Sequence, residues 1–185
     1  MLARSGFRSA ILGLLLFFAA GGPVAAQDAA PEYTIKATYL YKFGPYVSWP
    51  SGAWPPAPAP LKLCIVGTDP FGDVIDRAVR GQEVDGRAFV VRRLPRLDAS
   101  SGCMIAFVSG SAAQSAAEAL AAVKGEPMLT ITDGAQSARD RGIINFVIRD
   151  NRVRFEIDAA AAAAAGLSIS SKLQSLAVPL AGGVG

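Results

Sequence analysis

Histidine is absent from this sequence of 185 residues. Catalytic Ser-His-Asp and Cys-His arrangements and most zinc sites need an imidazole, so its absence excludes those sites. The chain also lacks a Walker A loop, a Gly-x-Gly-x-x-Gly motif and carboxylates at metal-binding spacing. A Ser-x-x-Lys catalytic motif is absent as well, because the residue three before Lys172 is Ile169 and not serine. The sequence therefore predicts a protein that is not an enzyme and holds neither a metal nor a cofactor.

Charge of either sign is scarce and nearly balanced. The chain carries 18 Lys and Arg against 15 Asp and Glu, and 51% of its residues are hydrophobic. This composition is typical of a globular protein and shows no dominant basic patch, so nucleic acid is not an expected partner.

Long apolar runs are missing except near the start, where residues 10–20 follow two arginines and precede small residues at 24–26. A run this short does not cross a bilayer, which takes about 20 residues. The pattern predicts a cleavable signal peptide over residues 1–26 and a single domain over residues 27–181, exported to the periplasm. The alternatives are an uncleaved anchor and a buried helix.

Cysteine occurs twice, at Cys64 and Cys103, each inside a short apolar run that reads as a buried strand. In an oxidising compartment two such cysteines favour a disulfide. Neighbouring strands lie about 4.8 Å apart, within reach of a bridge if both side chains point to one face. The sequence therefore predicts a bond between two central parallel strands, with two buried free thiols as the alternative.

The two apolar runs, residues 61–68 and 103–110, are each followed by a helix start. Runs that are apolar on both faces are typical of parallel strands covered by helices. Ser111 is the predicted cap of an alanine-rich helix, and a last amphipathic helix is predicted to carry Ile169, Leu173, Leu176 and Leu180. The chain is predicted to fold as one three-layer α/β domain. Its mixed, mostly parallel sheet is flanked by helices and followed by a β-hairpin, turning at Asp150-Asn151, and two terminal helices.

Polar residues follow three of the predicted parallel strands. Open α/β sheets bind ligands, anions especially, at this edge, next to helix N-termini. Arg141 precedes a later apolar strand and Asn145 lies within it. A polar residue in such a strand needs hydrogen-bond partners, which suggests a pocket or an ordered turn. The candidate ligand-binding residues are thus Thr68, Asp69, Ser109, Thr132, Asp133, Arg141 and Asn145. The alternative is that they are helix caps, turn residues and a solvated loop.

An ordered set of segments resembles the YfiR family of exported bacterial proteins. The segments are KATYLYKF at residues 36–43, YVSWP at 46–50, CIVG at 64–67, DPF at 69–71, LTITD at 129–133, RGIINF at 141–146, RVRFEI at 152–157 and AGLSISSKL at 165–173. The likeness extends from Tyr33 to Ala177. No single segment is diagnostic, but their order along the chain is specific.

The resemblance implies a periplasmic, dimeric α/β protein without catalytic activity. The best-known member represses an inner-membrane diguanylate cyclase by contacting the periplasmic sensor of that cyclase. An outer-membrane lipoprotein relieves the repression by sequestering the repressor. This system sets the level of cyclic di-GMP and, through it, biofilm formation. A bridge between Cys64 and Cys103 matches a family disulfide. This chain lacks the second cysteine pair in residues 133–141, which puts redox regulation through that loop in doubt.

Two functions follow as hypotheses. The first is a non-enzymatic periplasmic regulator that binds and restrains a membrane-bound signalling enzyme, a diguanylate cyclase. The second is a periplasmic small-ligand-binding or sensor protein that uses the carboxyl ends of the parallel strands.

Overall fold

The computed structural model describes residues 26–54, 56 and 58–180, with side chains from residue 31 onward. The predicted signal peptide lies outside the described residues, except for Ala26, where the first helix begins. Within the described part of the chain, no helix is long and apolar enough to cross a membrane.

The secondary structure alternates between helices and strands along most of the chain. The helices are α1 Ala26–Lys42, α2 Asp73–Val79, α3 Ala116–Ala122, α4 Ala159–Ala164 and α5 Ser171–Gln174. The strands are β1 Val47–Ser48, β2 Leu61–Gly67, β3 Glu83–Val84, β4 Arg87–Leu94, β5 Ile105–Gly110, β6 Leu129–Asp133, β7 Ile144–Arg149, β8 Arg152–Ile157 and β9 Ser168–Ile169. Short 3-10 helices lie at Gly44–Tyr46 and Ala99–Ser101.

Seven strands form one sheet in the order β3-β4-β2-β5-β6-β7-β8, and β1 pairs with β9 separately. The five central strands are parallel, while β3 and β8 are antiparallel at the two edges. Numbered in chain order, the parallel strands are arranged 2-1-3-4-5, which is a doubly wound order. The predicted mixed, mostly parallel sheet is confirmed.

Successive residues of β2 enter two different hydrophobic clusters on opposite faces of the sheet. The first cluster combines Ile65 with Leu40 of α1 and Ile75 of α2. The second combines Val66 with Ala119 of α3. Helices thus cover both faces, which explains why the strand is apolar without alternation. The three-layer architecture is confirmed, as are the hairpin β7–β8 and the two helices that follow it.

The disulfide between Cys64 and Cys103 is present, with the two Cα atoms 5.9 Å apart. Both sulfurs lie in the second cluster, beneath α3. One detail of the prediction was wrong, because Cys103 stands two residues before β5. The bond therefore ties β2 to the segment that enters β5.

Helix α3 begins later than predicted. Its cap is Ser115, not Ser111: the Ser115 hydroxyl accepts a hydrogen bond from the Glu118 amide, and the Glu118 carboxylate accepts one from the Ser115 amide. The Ser111 amide instead donates to the Gln114 carbonyl at 2.8 Å in a turn before the helix.

The last helix is shorter than the sequence pattern indicates. Ile169 lies in β9, opposite Val47 of β1. The Ser170 hydroxyl then accepts from the Leu173 amide and caps α5, which ends at Gln174. Leu176 is 62% exposed and belongs to no apolar helix face.

Candidate functional site

The chain leaves the sheet in opposite directions after β2 and β5. Helix α2, after β2, packs in the first cluster, whereas α3, after β5, packs in the second. Because β2 and β5 are neighbours, the connections that leave them open a crevice at the carboxyl edge of the sheet. In doubly wound folds this switch point is where ligands bind.

Two glycines lie opposite each other at the ends of β2 and β5. Gly67 and Gly110 have φ angles of +83° and +74°, a left-handed region that other residues rarely adopt. A Cβ on Gly67 would lie 2.4 Å from the Gly110 carbonyl oxygen. The Thr68 amide donates to that same oxygen at 3.0 Å. The ends of β2 and β5 are thereby held in direct backbone contact.

A cavity of about 320 Å³ lies next to these strand ends, lined by Thr68 and Ser109 among others. We call it the switch-point cavity. Its lining residues come from α1, from β5 and β6, from the start of α3 and from the connections after β2 and β6: Tyr33, Thr68, Pro70, Phe107, Val108, Ser109, Ala116, Thr132, Asp133, Ala135 and Asp140. Four of the seven predicted ligand-binding residues, Thr68, Ser109, Thr132 and Asp133, therefore do lie together.

Asp133 is bound by two residues of α1. The buried Lys36 ammonium donates to its Oδ1 at 2.7 Å and its Oδ2 at 2.6 Å, and also to the Glu32 carboxylate. The Tyr33 hydroxyl donates to Asp133 Oδ2 at 3.1 Å. The Lys36 nitrogen also lies 4.8 Å from the centre of the Tyr33 ring. These contacts fasten α1 to the end of β6.

The charged side chains around the cavity indicate which charge a bound ligand would carry. Asp133 and Asp140 both line it, and Lys36 is shared between Asp133 and Glu32. Carboxylates disfavour an anion and favour a neutral polar or cationic group. A ligand-binding role for the lining residues stays a prediction, and the expected preference for anions finds no support in these charges.

Asp69 takes no part in the cavity. Its Oδ1 accepts from the amides of Phe71 and Gly72 at 2.8 and 3.1 Å, ordering the turn before α2. Its Oδ2 accepts from Arg93 Nε at 2.7 Å. Arg93 also bonds Asp76 of α2, and this hydrogen bond is the main reason that the pKa of Asp76 is lowered. The observed contacts of Asp69 correspond to the turn alternative.

Asn145 orders the loop that follows β6. Its Oδ1 accepts from the Ala135 amide at 3.1 Å, and its Nδ2 donates to the Ala135 carbonyl at 3.3 Å. The same side chain accepts from the Thr132 hydroxyl at 3.0 Å and donates to the buried Glu156 at 3.1 Å. The polar residue in an apolar strand thus has the partners it needs, in an ordered turn.

Arg141 lies apart from the switch-point cavity. Its side chain is 9% exposed, its Nε is 3.8 Å from Glu156 Oε2, and it lines a separate groove beside α3. The seven predicted residues are thus divided between the cavity, a turn, a buried network and this groove.

Tyr33, Lys36 and Glu156 were not among the predicted site residues. Lys36 carried a usable signal, because it lies two residues after Thr34 and so on the opposite side of α1 from the polar stripe of Thr34 and Thr38. A lysine on the buried face of a helix needs a carboxylate partner. Its partner Asp133 is 97 residues away in sequence and could not be identified locally.

The contact with Asp133 gives a spectroscopic prediction for Tyr33. Burial first, and the Asp133 carboxylate second, raise the pKa of Tyr33 from 10.0 to about 12. Because the folded-state pKa is the higher one, this contribution to stability is complete below pH 10.0 and is lost as the pH rises toward 12. Tyrosinate absorbance, measured as wild type minus Tyr33→Phe, should therefore show a midpoint near pH 12.

A stopped-flow pH jump completes this measurement before the alkaline protein unfolds, and far-ultraviolet circular dichroism verifies that the fold persists. A difference midpoint near pH 10, the ordinary value for tyrosine, would show that the Tyr33 hydroxyl is neither buried nor bound to Asp133.

Metal binding receives no support from the arrangement of acidic and cysteine side chains. Among the described residues, no three Cys, Asp or Glu side chains gather as they would around a metal ion.

Comparison with known proteins identifies the chain through its family. The model of a family described as YfiR/HmsC-like matches residues 33–178, close to the span over which the sequence segments show the resemblance. A comparison with curated individual proteins finds no match. The matched region contains every strand of the sheet and both cysteines. Since the match covers most of the chain, the protein belongs to the YfiR/HmsC-like family.

Proposed function

We propose that this protein is a periplasmic regulator without enzymatic activity that binds and restrains a membrane-bound diguanylate cyclase. Membership of the YfiR/HmsC-like family over residues 33–178 is the observation that carries the proposal. The export signal predicted over residues 1–26 supports the compartment, and the lack of histidine supports binding over catalysis. The output is the level of cyclic di-GMP and, through it, biofilm formation.

The proposed partner is the periplasmic domain of the cyclase, and the proposed assembly is a homodimer. Release is proposed to come from an outer-membrane lipoprotein that sequesters the regulator. The disulfide and the bonds from α1 to Asp133 suit such a scaffold, because they hold its helices and strands in one arrangement. A rigid surface loses little conformational entropy on binding.

Deleting the gene is expected to raise cellular cyclic di-GMP severalfold, because the cyclase loses its restraint. Cyclic di-GMP is measured by mass spectrometry of cell extracts. Complementation with the full gene should restore the low level, whereas a gene lacking residues 1–26 should not, because its product stays in the cytoplasm. An unchanged level on deletion, in wild-type cells shown to express the protein, would contradict the proposal.

Capture of the cyclase from solubilised membranes by the tagged protein tests whether the two proteins are in direct contact.

A second candidate function is the binding of a small ligand, favoured by the switch-point cavity. The cavity, at about 320 Å³, lies at the lower end of the range of ordinary ligand pockets, which is about 300 to 1,000 Å³. Thermal-shift screening of neutral and cationic metabolites tests it. Ser109→Phe, in the lining, should abolish a shift that Ala112→Phe, outside the lining, preserves. Absence of any shift would count against this function and leave the regulator hypothesis untouched.

A further inference from the structure

A second and larger concavity is lined by residues of α3 and α4. It has a volume of about 630 Å³ and also includes Thr130 of β6 in its lining. We call it the α3–α4 groove. Its apolar walls include Leu120, Val123, Met128 and Ile143, with Ala121 and Ala164 on the facing helices. Small side chains on both helices leave space that larger residues would fill.

One buried cation lines this apolar groove. The Arg141 side chain is 9% exposed, and its Nε has no hydrogen-bond partner among the described residues. Glu156 Oε2 lies 3.8 Å from that nitrogen, which is too far for a hydrogen bond. A guanidinium carries five donors, so a buried one with an unused donor is incompletely satisfied.

The local charges also leave an excess of positive charge. Glu156 is 1% exposed and lies between two arginines, with Arg149 Nη2 3.8 Å from its Oε1. One carboxylate therefore faces two guanidinium groups, of which that of Arg149 is 51% exposed and lies outside the groove. Arg139 and Lys124 add positive charge to the lining, and Glu118 and Glu126 add negative charge. The Glu118 carboxylate is engaged in the cap of α3, where it accepts hydrogen bonds from Ser115.

We propose that the α3–α4 groove binds a small organic anion with an apolar body, such as a medium-chain carboxylate. The carboxylate lies against the Arg141 guanidinium, where it supplies the missing acceptor. The hydrocarbon body lies between the alanines of α3 and α4. The site is separate from the switch-point cavity, whose carboxylates favour the opposite charge, and it does not depend on the proposed regulation of a cyclase.

Isothermal titration of the whole protein with octanoate tests the proposal, with octan-1-ol and octylammonium as probes of the same length. Saturable binding of one octanoate per chain is expected. Octan-1-ol and octylammonium should each bind at least tenfold more weakly. Arg141→Gln should weaken octanoate binding at least tenfold. Ala121→Trp fills the groove and should abolish binding, whereas Ala122→Trp, exposed on the same helix but outside the lining, should preserve it.

Two results would overturn the proposal: no saturable octanoate binding by the wild type, or equal binding by Ala121→Trp and Ala122→Trp. The tryptophan pair decides the matter even if Arg141→Gln fails to fold. Sedimentation velocity distinguishes a different occupant, a second copy of the chain. A smaller species for Ala121→Trp, with no octanoate binding by the wild type, would assign the groove to self-association and reject the ligand.

Discussion

Replacement of Cys64 and Cys103 by serine is expected to lower the melting temperature by roughly 12 °C. The disulfide closes a loop with a sequence separation of 39 residues. In the chain-entropy model, a loop of this length destabilises the unfolded state by about 4 kcal/mol. For a domain of this size, each kcal/mol corresponds to roughly 3 °C. Differential scanning calorimetry of the wild type and the double variant measures the change.

The serine variant needs a control because Cys64 is completely buried, and a buried hydroxyl carries its own cost. The control is wild-type protein whose disulfide has been reduced, because its cysteine side chains are kept and no hydroxyl is introduced. Reduction should lower the melting temperature of the wild type and leave that of the variant unchanged. A reduced wild type, with two thiols confirmed by titration, that melts at the oxidised temperature would show that the bond does not stabilise the fold.

The helices, strands and turns that could be predicted were those whose local sequence pattern is compatible with only one kind of structure. Strand β2 is apolar without alternation from Leu63 to Val66 because both of its faces are buried there. The turn between β7 and β8 was predictable because Asp150 and Asn151 tolerate the positive φ angles of 49° and 55° that the structure shows. Strand order was not predictable, because it depends on contacts between residues far apart in sequence.

The start of α3 shows where local signals are insufficient. Ser111 and Ser115 are each followed three residues later by a residue that can complete a capping box, Gln114 and Glu118 respectively. Gln114 is engaged elsewhere, since its side chain exchanges two hydrogen bonds with the buried backbone of Leu97. This tertiary contact leaves Ser115 as the cap.

The candidate site was predictable in position and not in detail. Residues after parallel strands meet at one edge in any α/β sheet, so Thr68, Ser109 and Thr132 were expected to lie together. Asp69 lies outside the cavity and binds Arg93 of β4, the neighbour of β2 that the sequence did not identify. Charge patterns along the chain likewise gave no sign that Lys36 would pair with Asp133.

Asp133→Asn is expected to lower the free energy of unfolding by about 3 kcal/mol, because removing one member of a buried ion pair leaves the other charge uncompensated. The Lys36 side chain is 2% exposed and would retain Glu32 as its remaining carboxylate. Adding Lys36→Met removes the buried charge itself. The double variant should therefore be more stable than Asp133→Asn alone, as measured by urea unfolding.

Asp73→Asn is the matched control, because Asp73 forms an ion pair with Arg77 on the surface of α2 at 3.8 Å. Both of those side chains are largely exposed, so water and salt screen the pair and its loss should cost less than about 0.5 kcal/mol. Equal losses for Asp133→Asn and Asp73→Asn would mean that Lys36 is solvated in solution. Because the Asp133 contacts join α1 to β6, a loss confined to Asp133→Asn would establish that the buried ion pair between these two elements stabilises the fold.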